Sequence, residues 1–133
     1  MRMSAPPRPP CDAKVNPIPG LSVPWLEHQR LGPGLDGGIF FWIEDEEGKP
    51  LEWVKISLSN PWPQGAFISH VTYGFSDAEG CLQCRPSTAQ VFDVWVEEHR
   101  VPLIQGIVCA APQHPEAQYT PDVWRIVIVK STK

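Results

Sequence analysis

No stretch of this chain approaches the roughly 18–20 consecutive apolar residues of a membrane-spanning helix. No 3.6-residue hydrophobic pattern runs beyond two turns, so long amphipathic helices are not expected. Basic residues are sparse, 11 Lys and Arg against 15 Asp and Glu, for a net charge of −4. No Lys/Arg run exists to displace counterions from a phosphate backbone, which argues against nucleic acid as a partner. The same acidity argues against an anionic membrane surface. Absent too are a nucleophile elbow, a phosphate-binding loop, a paired-metal motif and internal repeats. The opening MRMSAPPRPPCDAK lacks an apolar h-region and does not read as a signal peptide. Two settings stay open: a protein made and used within a cell or a virion, or a mature piece of a secreted one. A virion-associated, extracellular or surface-exposed place is the favoured expectation.

What is present is β structure. At 133 residues the chain fits one domain, and apolar and charged contents of 42% and 20% are those of a globular protein. From Gly38 to Asp77 the sequence alternates apolar and polar residues in runs separated by Asp/Gly/Pro turns, which is the pattern of antiparallel strands. Strands are predicted over 38–44, 51–59, 66–75, 81–84, 91–97, 103–110 and 123–129. Ile39, Phe41, Ile43, Val54, Ile56 and Leu58 fall on the core-facing side. The expected fold class is all-β, a seven-stranded antiparallel Greek-key β-sandwich over residues 38–133. Ahead of it, residues 1–37 hold eight of the 16 prolines and read as an extended N-terminal arm, since proline excludes a helix or a central strand. Leu21, Trp25 and Leu26 are too apolar for a linker, so this arm is expected to dock on its own domain or on a neighbour.

The runs GIFFWIEDEEGKPLEWVKISLSN, TYGFSDAEGCLQC and VFDVWVEE together resemble the transthyretin-like, or prealbumin-like, group, which includes Cna-B-type and carboxypeptidase-regulatory-like domains. The resemblance rests on Asp45, Gly48, Pro50, Leu51, Val54, Ile56, Leu58, Thr72, Asp77, Gly80, Phe92, Val94 and Val96. It spans residues 38–98. It implies a sandwich and, by analogy, a non-catalytic stalk, adhesion, sugar-contacting or assembly module. The hydroxyisourate-hydrolase tetrapeptide and a clear isopeptide pattern are both missing, so neither chemistry carries over.

Two sets of residues are candidates for function. Phe40, Trp42, Trp53, Trp62 and Trp95 fall outside the predicted core faces, and six tryptophans is many for this length. Such rings serve a protein interface, cover from the chain's own N-terminal segment, or a sugar platform. Cys81 and Cys84 form a C-x-x-C, with Cys11 and Cys109 elsewhere, and four cysteines allow three disulfide pairings. Structural thiols or a disulfide, a zinc site completed by other cysteines or by His28, His70, His99 or His114, and a redox pair are the readings. The first ranks highest, because no second close-spaced pair of ligands exists. Three apart on a strand, Cys81 and Cys84 point to opposite faces. Asp93, Glu97 and Glu98, near His70 and His99, read as solvated polar residues. No enzyme, cofactor or bound metal is expected. A protein partner or homo-oligomer is, with carbohydrate and small zinc protein as alternative readings.

Overall fold

The computed structural model describes residues 13–60 and 69–132. Within them the protein is all-β, with strands β1 (Lys14–Val15), β2 (Leu21–Arg30), β3 (Gly38–Glu44), β4 (Lys55–Asn60), β5 (Ser69–Phe75), β6 (Cys81–Cys84), β7 (Gln90–Val96), β8 (Ile104–Cys109) and β9 (Asp122–Lys130). They form two sheets, ordered β1-β8-β7-β4-β5 and β2-β9-β3-β6. All pairings are antiparallel except β3 with β9, which run parallel from Gly38↔Val123 to Glu44↔Val129. The two sheets bury their facing sides. Ile39, Phe41, Ile43, Trp124, Ile126 and Ile128 on one meet Ile56, Leu58, Phe92, Val94, Val96, Ile104 and Ile107 on the other, each 1% exposed or less. The period-two pattern of β3 therefore reads out as predicted, while in β4 Ile56 and Leu58 face the core and Ser57 and Ser59 on the other face are buried as well.

The strand count does not match. Both additional strands lie in the segment read as an arm. Leu21–Arg30 is a ten-residue edge strand on β9, and Lys14–Val15 pairs with β8. Leu26 and Ile18 belong to the core itself, and Leu21 packs against it. The described part of the segment is thus built into the sandwich, where Leu26 and Leu21 pack on the chain's own core. Proline bars a central strand, but an edge strand tolerates it at an irregularity. Here the β2–β9 register shifts between Ser22 and Trp25, and Pro24 sits in the bulge. A proline and a bulge also blunt an edge that would otherwise invite pairing with another chain.

Two turns share one design. In each, an aspartate carboxylate accepts from the backbone N–H two and four residues on. Asp45 takes Glu47 and Lys49 at 2.8 and 2.9 Å, and Asp77 takes Glu79 and Cys81 at 2.9 Å each. Three residues after each aspartate a glycine adopts positive φ, Gly48 at 87° and Gly80 at 76°. Their surroundings differ. A Cβ on Gly48 would meet only the Glu44 carboxylate at 3.7 Å, whereas one on Gly80 would collide with the Ile43 carbonyl and press on Pro50. Gly48→Ala should therefore cost only the left-handed backbone penalty, about 1–2 kcal/mol. Gly80→Ala should add a steric clash and exceed about 3 kcal/mol. Urea unfolding of the two variants checks this, and equal losses would contradict the close approach at Gly80.

Candidate functional site

The predicted second strand begins late, and the reason builds an unusual site among the described residues. Ser76, 2% exposed, follows β5 and holds the segment Leu51–Val54 by four hydrogen bonds. Its hydroxyl donates to the Leu51 carbonyl (2.6 Å) and accepts from the Val54 N–H (2.9 Å). Its carbonyl accepts from Trp53 N–H (2.9 Å), and its N–H donates to the Val54 carbonyl (3.0 Å). Held this way, the backbone at Trp53 takes φ of 69°. For a bulky side chain that is a true outlier, costing on the order of 1–3 kcal/mol, and it persists only where neighbours over-determine it. The consequence is display. Trp53 is 70% exposed, with its ring 6.1 Å from that of Phe75, itself 47% exposed.

Across from Trp53, β7 ends in a turn whose first residue, Glu97, has φ of 52°. Trp53 and Glu97 are the two non-glycine residues at positive φ among the described residues, and both line one open cleft of about 550 Å³ with Lys55, Phe75, Glu98 and His99. Its charges are matched. Lys55 pairs with Glu98 at 2.9 Å, and Glu97 with Lys130 at 3.0 Å, the latter tying the two sheets together. His99 donates from Nδ1 to the Val96 carbonyl at 2.8 Å, which leaves Nε2 an acceptor in the neutral ring. A second depression of about 480 Å³, lined by Pro19, Gly20, Leu21, Lys130 and Ser131, shares His99 with the first.

The other aromatics do not join Trp53. Phe40 and Trp42 lie on the outer face of the four-stranded sheet, where Trp25, Val127 and Trp42 stand in one row across β2, β9 and β3. Two strand spacings separate the tryptophans, roughly 9–10 Å. Glu27, Arg125 and Phe40 form the next row, with the Trp25 indole N–H donating to Glu27 at 3.3 Å and the Arg85 guanidinium 6.0 Å from the Phe40 ring. Trp95 belongs to the other sheet. Its indole N–H donates to the fully buried Ser59 at 2.7 Å, so it serves the chain's own packing. Trp62 lies outside the described residues. The five aromatics read together therefore occupy at least three places, and Trp25, read as an arm residue, joins Trp42 instead.

At the opposite end of the sandwich a fully buried carboxylate holds the edge strand. Asp122 accepts from His28 Nε2 (2.7 Å), bidentately from Arg30 (2.8 and 3.1 Å), and from the Ala110 N–H (2.6 Å). The His28 ring also packs on Trp124, with centroids 4.6 Å apart. Burial alone would raise this carboxyl. The hydrogen bonds from Arg30, Ala110 and His28 and the Arg30 charge outweigh it and hold the pKa below the usual carboxylate value. No local pattern announced this cluster, since its members come from β2, β9 and the residue after β8.

Cys81, Cys84 and Cys109 do not build a reactive centre among the described residues. No disulfide joins Cys81, Cys84 or Cys109 to one another, and Cys11 lies outside the described residues. Cys84 is buried and Cys81 partly exposed, on opposite faces of β6 as their spacing requires. Burial pushes the Cys84 thiol up to about 11, and burial with Asp77 and Glu79 nearby raises Cys81. A redox pair needs the reverse shift. Among the described residues, no three of His, Cys, Asp and Glu gather as a metal-binding set. Asp93 is buried on β7, where it bonds Gly106 and Gln105. No family model, curated protein or solved structure matches the chain.

The lowered Asp122 pKa has a definite sign. Its stabilisation is present above the unfolded value of 3.8 and is lost as pH falls through the lower folded value. Asp122→Asn should cost about 3 kcal/mol at neutral pH, because it removes the buried charge opposite Arg30 and turns one of the two accepting oxygens into a donor that faces other donors. It should also flatten the acid limb of the stability curve. Unfolding measured from neutral pH to below pH 3 checks both, and an unchanged acid limb would contradict this role.

Proposed function

We propose that this protein is a non-catalytic binding module of transthyretin-like build, which recognises its ligand through the cleft beside Trp53. One observation carries the reading: an indole held in a strained backbone, by a buried clamp, pointing away from any core. Strain of this kind gathers where a site must be pre-organised. A folded-state benefit is hard to find for a ring whose contact among the described aromatics is the edge of Phe75. The transthyretin-like build is supported by the matched Asp45 and Asp77 turns and by the buried places of Val54, Ile56, Leu58, Phe92, Val94 and Val96. Raised thiol pKa values weigh against a redox pair at Cys81 and Cys84.

A second reading, self-association or a protein partner, is favoured by the Trp25–Val127–Trp42 row. Paired tryptophans on a flat sheet face are the residues that anchor interfaces. If the face joins two copies, Trp25→Ala with Trp42→Ala should convert a dimer to a monomer in sedimentation. A monomeric parent protein would rule out self-association through this face.

Trp53→Gly tests the main reading without any ligand. Relief of the left-handed strain gains about 1–2 kcal/mol. Loss of the Phe75 contact and the added freedom of glycine each cost about 0.5–1.5 kcal/mol. The variant should therefore stay within about 1 kcal/mol of the parent protein. A loss of about 3 kcal/mol or more, as for a core aromatic, would make Trp53 a structural residue and overturn the reading.

A further inference from the structure

We infer that the ligand of the Trp53 cleft is a neutral carbohydrate chain, with one pyranose ring stacked on the indole and its neighbour running past His99. This rests on the reading of the cleft as a binding site and adds the class of ligand.

The chemistry of the lining selects it. An exposed indole offers a flat apolar face, which suits either the C–H side of a sugar ring or a cation. The charges of the cleft decide between them. Both acidic side chains already have cationic partners, Glu98 in Lys55 and Glu97 in Lys130. A cationic ligand would have to compete with two lysines for the same carboxylates. A carboxylate or phosphate would meet the same carboxylates as repulsion. A sugar hydroxyl donates and accepts at once, so it can bridge a lysine–glutamate pair without separating its charges. Lys55 supplies donors, Glu97 and Glu98 acceptors, and His99 Nε2 a further acceptor, all around the Trp53 face. The lining sets two aromatic side chains, Trp53 and Phe75, among four polar ones, and convergent polar groups of this kind fix a ligand's orientation in a site.

The geometry also suits a chain better than one ring. The cleft is open, and the depression beyond His99 continues from a shared wall. The strained backbone matters here as well. Ser76 fixes the backbone beneath the ring, so the segment that carries Trp53 gives up little freedom on binding, which is how a shallow site gains affinity.

The test is titration of the full chain with neutral tetrasaccharides of glucose, xylose, mannose and N-acetylglucosamine, and with the corresponding monosaccharides. Binding is read by tryptophan fluorescence and by calorimetry. At least one tetrasaccharide should bind saturably and more tightly than its monosaccharide. Trp53→Ala should weaken it at least about tenfold. Trp25→Ala with Trp42→Ala should leave it unchanged, and added salt should have little effect because the ligand is uncharged. Absence of binding by every sugar overturns the assignment, as does binding that survives Trp53→Ala or that is lost on altering Trp25 and Trp42. A trilysine peptide provides the separating arm. If it binds in a Trp53-dependent way and no sugar does, the cleft remains a binding site and the carbohydrate class is wrong. If Trp53→Gly proves as costly as a core substitution, the binding-site reading itself has failed, whatever the sugars do.

Discussion

Strand β9 is the constraint on which the rest of the structure depends. It lies between β2 and β3, antiparallel to one and parallel to the other, so its register sets both. Its inward row, Trp124, Ile126 and Ile128, is fully buried and faces the second sheet. Its outward row, Arg125, Val127 and Val129, then falls between the outward residues of β2 and β3 with no further choice, because the side-chain period is two. Its two ends anchor opposite ends of the sandwich. Asp122 captures His28 and Arg30 from β2 and the Ala110 N–H beyond β8, while Lys130 reaches Glu97 on the turn after β7. A one-residue slip of β9 would place Trp124 in solvent and Asp122 away from its partners.

At the Lys130 end, local strain and global packing are separable. The core strands account for Val54, Ile56 and Leu58. They do not account for Trp53, whose backbone is set by the Ser76 hydroxyl, carbonyl and N–H. This buried serine converts what alternation alone would extend as strand into a short excursion that ends with an exposed ring. Fold and site thus draw on different interactions, hydrophobic burial for the first and a few directional hydrogen bonds for the second. A sandwich of this kind can then keep its core while its end loops change ligand.

Much of the fold was legible from alternation and turn chemistry. The β3 run, the two Asp-x-x-Gly turns and the alternation of β7 and β9 read directly, since period, side-chain branching and turn residues are local properties. Leu21–Arg30 did not, because Pro24 marks the segment as irregular, and only pairing with a distant β9 shows that the irregularity is a bulge. The site was half legible. Alternation marks Trp53 as an outward ring, and Glu97, Glu98 and His99 read as polar residues close in sequence. Their gathering with Phe75 depends on three chain segments meeting at one end of the sandwich. Ser76 carried no signal at all, being one serine among several in turns. The Asp122 cluster was hidden for the same reason, its members lying on strands far apart in sequence.

The central claim is that Trp53 is displayed by a backbone held in the left-handed region by Ser76. Its most direct measurement is the Trp53 φ angle in solution, from the amide-to-α-proton coupling together with residual dipolar couplings, in the parent protein and in Ser76→Ala. The account predicts positive φ in the parent and a shift toward ordinary extended values once the hydroxyl is gone. A negative φ at Trp53 in the parent, or an angle unmoved by removing the Ser76 hydroxyl, would contradict it.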